Sequence, residues 1–212
     1  MNRLGHTAWG LAAVASVTAP GCKTDDGAVL SEAELEAARA VLSGPMVVSA
    51  KTVVNGADKT LLPGGAPAKF EFVPGAGDQV TMWQDSLHIG NMPFSISLAI
   101  ELRLSPVLSL EAADFPGEGW VRFSGRRGVV GYNVRRPAVT VDTTTTGEGA
   151  TVTGFVNVRT REVQLQIDYI AGTVQTVVER QVIDTSRVAA YDDELRQYED
   201  DLKKYKEEHG LR

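Results

Sequence analysis

Apolar and polar residues alternate through most of the middle of the chain. The clearest example is the segment 94–104, where every second residue is large and apolar and Ser, Ala, Glu or Arg stand between them. A period of two over this length predicts a long β-strand with one buried face and one wetter face. The residues predicted on the buried face are Phe94, Ile96, Leu98, Ile100, Leu102 and Leu104.

Weaker strand patterns lie on both sides of this segment, separated by turn sequences rich in Gly and Pro. Many short strands without helices between them indicate an all-β domain with an antiparallel sheet. Two apparent consecutive hairpins, over 129–142 and 151–169, favour an up-and-down β-barrel, and a Greek-key β-sandwich is the alternative. The further strands are predicted over 46–54, 68–73, 78–83, 120–124, 129–134, 139–142, 151–158, 162–169 and 173–183.

A short helix is predicted before the β domain, over residues 31–43. Ser31 and Glu34 have the spacing of a capping box, in which each side chain accepts a hydrogen bond from the other residue's backbone. Gly44-Pro45 ends the helix, because Gly accepts the left-handed conformation and Pro cannot continue a helix.

A long amphipathic helix is predicted after the β domain, over 185–212. Thr185 or Ser186 can cap its start, and Gly210 stands near its end. Its apolar residues recur at alternating spacings of three and four, as in a heptad repeat. Such a seam either packs on the chain's own barrel or forms a coiled coil that dimerises or binds a partner. The seam residues are Val188, Tyr191, Leu195, Tyr198, Leu202 and Tyr205.

The N-terminal segment has the form of a secretory signal. Arg3 provides a positive start, and the uncharged stretch 7–19 is too short to cross a bilayer. It ends at Ala19-Pro20-Gly21-Cys22, which contains the single Cys of the chain and resembles the lipobox of bacterial lipoproteins. That resemblance implies a signal peptide over 1–21 and a diacylated Cys22 on a tether over 22–30. An ordinary secretory signal with a spare thiol is the alternative.

The residue after the lipobox bears on location. Enterobacterial lipoproteins with Asp directly after the Cys stay at the inner membrane, whereas this chain has Lys23. The resemblance therefore implies a bacterial cell-envelope protein that is lipid-anchored at the outer membrane.

The β domain, over 44–184, resembles the lipocalin-like (calycin-like) lipoproteins of bacteria. The resemblance lies in the segments 44–48, 91–94, 150–156 and 163–167. It implies a barrel with an apolar cavity, in which the buried-face residues of 94–104 would line the binding site. It names no particular ligand.

Charge and residue chemistry restrict the functional classes. The chain has 21 basic and 27 acidic residues and a net charge of −6, which argues against a general nucleic-acid binder. Its three His include His88 and His209, neither of which has Asp, Glu or Cys at ligand spacing, so we expect no metal site and no cofactor. We also find no catalytic motif, and we expect a protein that is not an enzyme.

One basic cluster interrupts this acidic chain. No acidic residue lies between Gly119 and Val141, and we expect Arg126-Arg127 at one hairpin end and Arg135-Arg136 at the other end of the intervening strand. The arginines either form ion pairs with nearby acids or contact the phosphates of lipid head groups, for which the guanidinium geometry is suited. The candidates are Arg122, Arg126, Arg127, Arg135 and Arg136.

Two functions are compatible with these features. The first is a membrane-anchored lipoprotein that binds a small apolar ligand or lipid inside its barrel. The second is a structural or assembly lipoprotein, which contacts another envelope protein or a second copy of itself through its surface and C-terminal helix.

Overall fold

The computed structural model describes residues 29–88, 94–135, 137, 149–170 and 173–211. The predicted signal peptide, Cys22 and most of the tether lie outside these residues. So do Arg136 and the strand predicted over 139–142.

The β domain is a closed antiparallel barrel, which confirms the up-and-down barrel that the sequence favours over the β-sandwich. Eight strands follow one another around the ring in chain order, and β9 pairs back onto β1 with Lys51 opposite Val177. A short additional strand, β2, pairs with the end of β1. The strands are β1 (Gly44–Val54), β2 (Ala57–Asp58), β3 (Ala66–Pro74), β4 (Gln79–His88), β5 (Ser95–Ser105), β6 (Trp120–Tyr132), β7 (Ala150–Asn157), β8 (Glu162–Ile170) and β9 (Val174–Val182).

One predicted boundary is wrong. The sequence Arg126-Arg127-Gly128 is not a hairpin end but lies inside the continuous strand β6, where the register shifts between Gly125 and Gly128. Arg127 takes a left-handed backbone conformation with φ of 61°, which bends the strand locally. Turn-forming residues can therefore form a bulge within a strand as well as a turn between two strands.

The first helix, α1 (Glu32–Val41), packs on the end of the barrel where β1 begins, which we call the base; the opposite end is the mouth. The capping box is formed as predicted, with reciprocal hydrogen bonds between Ser31 and Glu34. Arg39 donates a hydrogen bond to the carbonyl of Gly77 in the hairpin between β3 and β4. The apolar residues that this segment contributes to the core are Leu30, Ala38, Val41 and Leu42.

The second helix, α2 (Arg187–Glu208), lies on the outer surface of β1 and β3. It begins at the base, and its 22 residues span about 33 Å toward the mouth. Tyr191 is buried beneath it, with the Lys69 ammonium 5.1 Å from the centre of the ring. Ser186 occupies the capping position, but its hydroxyl donates to Asp184 and does not cap the helix.

Candidate functional site

The predicted ligand-binding residues line the lumen of the barrel, with one exception. Five of them alternate along β5 and are at most 4% exposed: Ile96, Leu98, Ile100, Leu102 and Leu104. Phe94 precedes the strand at the mouth, is partly buried, and packs edge-to-face against Tyr132 with ring centres 5.6 Å apart. The alternating pattern therefore identified the inner face correctly.

Large side chains from the other strands fill the space in front of these residues. Phe72 packs edge-to-face against Phe123 from across the lumen, with ring centres 6.2 Å apart. The Phe123 ring lies directly on Gly154, where any side chain would overlap it. An eight-stranded barrel is just wide enough either to be filled by its own side chains or to hold one small ligand. The packing at this level favours the filled state.

A hydrogen-bonded crossbar spans the lumen nearer the mouth. The Tyr169 hydroxyl on β8 donates to the Gln84 side-chain oxygen on β4. These strands are four steps apart in either direction around the ring, so the bond joins opposite walls. Gln84 in turn donates to the carbonyl of Ile96 at 3.2 Å. Because the single phenolic proton goes to Gln84, the Thr176 hydroxyl, 3.0 Å away, donates to Tyr169.

The crossbar is buried, and its chemistry is that of a structural element. Burial raises the pKa of the Tyr169 hydroxyl well above its ordinary value, although the hydrogen bonds with Thr176 and Gln84 act in the opposite direction. The group therefore stays neutral over the physiological range. A satisfied polar network of this kind fixes one arrangement of the surrounding walls.

A groove outside the lumen offers a more open apolar surface. It lies between the C-terminal half of α2 and the end of β4 at the mouth, and its volume is about 580 Å³. Ligand pockets usually fall between about 300 and 1,000 Å³, so this groove could hold a small molecule. Its apolar lining consists of four leucines from three parts of the chain, namely Leu87, Leu195, Leu202 and Leu211.

The rim of this groove is polar and carries both signs of charge. Lys203 and Lys206 lie beside Glu199 and Glu207 on α2, and His88 extends from the end of β4. A polar head group could therefore find hydrogen-bond donors and acceptors at the rim, whatever its charge. A second groove, of about 430 Å³ on the outer wall of β7, β8 and β9, is lined mostly by Thr, Gln and charged side chains.

The four arginine candidates that the structure describes do not come together in one site. Arg122 lies near the base and pairs with Glu111 at 3.1 Å, as the ion-pair alternative predicted. Arg126 and Arg127 sit at the bulge in β6, both with exposed side chains, and Arg135 approaches Asp85 at 3.8 Å near the mouth. Within the part of the chain described, no group of His, Cys, Asp or Glu is arranged to hold a metal ion.

Sequence reasoning missed the crossbar and the groove for different reasons. Gln84 continues the alternation of Val80 and Met82 but falls just beyond the predicted strand 78–83. Because it is polar, the apolar pattern did not mark it as an inward-facing residue. Leu195 and Leu202 were predicted as seam residues. Their position beside the end of β4 could not be predicted, because it depends on the path of α2 across the barrel. The seam residues are all buried or partly buried on the chain's own surface.

Comparison with known proteins gives a family but no activity. A family model described as a domain of unknown function, DUF4903, matches residues 22–210. No curated protein and no solved structure matches the chain. In the described ranges, neither helix is both long and apolar enough to span a membrane.

Proposed function

The chain belongs to the DUF4903 family, and we propose that it is a lipid-anchored binding protein of the bacterial outer membrane that holds an amphiphile with an aliphatic tail. The tail lies on the four leucines of the groove beside α2, and the head group meets the polar rim. The role is one of binding and not of catalysis. The barrel serves as the rigid support that holds α2 and the end of β4 at a fixed separation.

The observation that carries this proposal is that the apolar lumen is filled by side chains, whereas the apolar groove beside α2 is open. The lumen residues Leu98 and Leu102 are fully buried by neighbouring side chains. The groove leaves Leu195 and Leu202 partly exposed around a volume of about 580 Å³. Apolar surface that is open and concave, with polar groups at its edge, is the usual form of a small-molecule site.

The anchor is proposed from the lipobox resemblance at Cys22. Two or more acyl chains hold a protein stably on a membrane, because each buried CH₂ contributes roughly 0.8 kcal/mol. Replacing Cys22 with Ser should release the protein from the membrane fraction into the soluble fraction. Continued association of the Cys22→Ser variant with membranes would contradict the anchor.

The alternative function, assembly through a coiled coil of α2, is less well supported. The seam that would form the coiled coil already packs on β1 and β3, with Tyr191 only 6% exposed. We therefore expect a single monomeric mass by light scattering over a wide range of protein concentration. A mass that rises with concentration and falls after removal of α2 would favour assembly.

Binding to the groove can be tested with a fluorescent fatty-acid analogue such as dansylundecanoic acid. We expect saturable binding that Leu202→Asp weakens at least about tenfold, because a charge on the groove floor would have to be desolvated by the tail. The matched control is Leu110→Asp, which makes the same chemical change at a residue 93% exposed at the base. The control should bind like the unchanged protein.

A lumen variant distinguishes the two possible sites. Ile100→Ala removes side-chain volume from the inner wall without touching the groove. An affinity that Leu202→Asp leaves unchanged and Ile100→Ala alters would assign the ligand to the lumen and overturn the groove. Absence of any saturable binding would remove the ligand-binding function itself.

A further inference from the structure

Exposed apolar side chains are concentrated at the base of the barrel. Eight large apolar residues are strongly exposed in the described part of the chain, and five of these lie at the base. The most exposed are Leu110 at 93% and Val29 at 84%, followed by Val182 at 63%. Isolated exposed apolar residues are common, but their collection at one end of a molecule marks an interaction surface. The other two members are Val73 and Leu108.

These five residues come from separate parts of the chain. Val29 precedes α1, Val73 is the second-last residue of β3, and Val182 is the last residue of β9. Leu108 and Leu110 belong to the connection between β5 and β6, which leaves and rejoins the barrel at the base. The surface, which we call the apolar base, therefore results from the fold and not from one apolar segment.

The short stretch of chain before Val29 limits how far the apolar base can lie from a lipid anchor at Cys22. Val29 is the first described residue, and Cys22 precedes it by seven positions. Seven residues span at most about 25 Å when fully extended. An acylated Cys22 would therefore keep Val29, and with it the base, within about 25 Å of the membrane.

Several charges of the base are paired with one another. Four ion pairs occur there, and each joins a base residue to another on the same end of the barrel. Such pairing lowers the electrostatic field that the base presents to a lipid surface. The contact should then depend on apolar burial and not on anionic lipid. The pairs are Arg39–Glu32, Arg103–Asp78, Arg122–Glu111 and Arg159–Glu118.

We propose that the apolar base rests on the bilayer surface, with Leu110 and Val182 inserted at the boundary between head groups and acyl chains. The inference rests on the anchor at Cys22 in the proposed function and adds a fixed orientation to it. The protein stands upright on the membrane, and the groove beside α2 opens at the far end, toward the aqueous phase. Partial insertion of apolar side chains stabilises such a contact in proportion to the area buried.

Depth-dependent quenching tests this orientation in the acylated full chain. Leu110→Cys and, separately, Val182→Cys are labelled with an environment-sensitive maleimide dye in vesicles of zwitterionic phosphatidylcholine. The matched control is Val134→Cys, an apolar residue 44% exposed near the mouth. A spin label on the upper part of the lipid acyl chain should quench the two base dyes several-fold more strongly than the Val134 dye. High salt should leave the difference unchanged.

The outcomes separate the orientation from the anchor. Equal quenching of base and mouth dyes, or none at either, would overturn the upright orientation while the anchor stands. Because Cys22 is the single Cys of the chain, an acylated protein without engineered Cys should take up no dye. Labelling of that unchanged protein at Cys22 would instead overturn the anchor.

Discussion

The lumen and the groove beside α2 are both lined by leucine, yet they differ in what covers it. In the lumen, Leu98 and Leu102 are fully buried, and the interior also holds the paired rings of Phe72 and Phe123. In the groove, Leu195 and Leu202 lie beside Leu87 at the end of β4 and Leu211, and both stay partly exposed. Apolar periodicity thus identifies the side of a helix or strand that faces the rest of the protein. Whether a cavity or groove remains there depends on the side chains of the surface that packs against it.

The largest expected difference is in stability. Leu102→Ala should lower the free energy of unfolding by about 2–5 kcal/mol, because it leaves a cavity in a packed interior. Leu202→Ala, the same change in the groove, should cost much less, since its side chain is already partly exposed. Urea unfolding of both variants measures this. Equal losses would mean that the groove is as tightly packed as the lumen.

The filled state of the lumen can be tested from the opposite direction by adding volume. Gly154→Ala places a methyl group into the Phe123 ring, with Leu165 also in contact, and should cost about 2–3 kcal/mol by overpacking. The double variant Gly154→Ala with Phe123→Leu should recover part of this loss, because the ring that blocks the methyl group is gone. A neutral effect of Gly154→Ala alone would indicate free space in the lumen. The measurement is again the free energy of unfolding in urea.

The crossbar should contribute less than the apolar layers beneath it. Tyr169→Phe removes the hydroxyl and leaves the buried Gln84 oxygen without its donor, at a cost of about 1–2 kcal/mol. Thr176→Val, which removes only the second partner of that hydroxyl, is the control and should cost less. If Tyr169→Phe were as stable as the unchanged protein, the two walls would not depend on this bond.

The last expected effect, which appears only in alkaline solution, is a pH dependence at the interface of α2. Burial, with the nearby charges of Asp85 and Asp192, raises the pKa of Tyr191 to about 12. In the unfolded chain this tyrosine has its ordinary pKa of about 10. The stability that the buried, neutral Tyr191 contributes is therefore fully present below pH 10 and is lost as the pH rises toward 12. Tyr191→Phe should make the fall in thermal stability over this range shallower. An unchanged fall would assign the alkaline loss to other groups, such as Tyr169.

The strands and both helices could be predicted because they follow from local periodicity and, in α1, from capping. Closure of the sheet into a barrel was favoured over a β-sandwich by the apparent hairpins and the lipocalin-like resemblance. The alternation along 94–104 and the Ser31–Glu34 capping box each involve residues close together in the chain. Both can therefore be recognised from the sequence alone. The strand β6 was divided in error because Arg126-Arg127-Gly128 satisfies the local requirements of a turn as well as those of a bulge. Only pairing with β5 and β7 decides between them.

The candidate sites were predicted less well because they depend on distant residues. Tyr169 and Gln84 are 85 positions apart, and nothing in either strand indicates that they meet across the lumen. The groove needs Leu87 and Leu202 to be neighbours, which depends on the angle at which α2 crosses the barrel. The lipidation of Cys22 stays a prediction, because Cys22 lies outside the described residues, and it rests on a local pattern in the sequence.

The pairing of β1 with β9, which closes the barrel, also sets the order in which the barrel can form. Lys51 and Glu179, which pair between these two strands, are 128 positions apart. Every other pair of barrel strands joins neighbours in the chain and can form early, whereas this last pair must wait until nearly the whole domain is present. Contacts of such long separation slow folding, and until they form the chain exposes two unpaired strand edges that invite aggregation. The chain is therefore most prone to aggregation just before the step that completes the barrel.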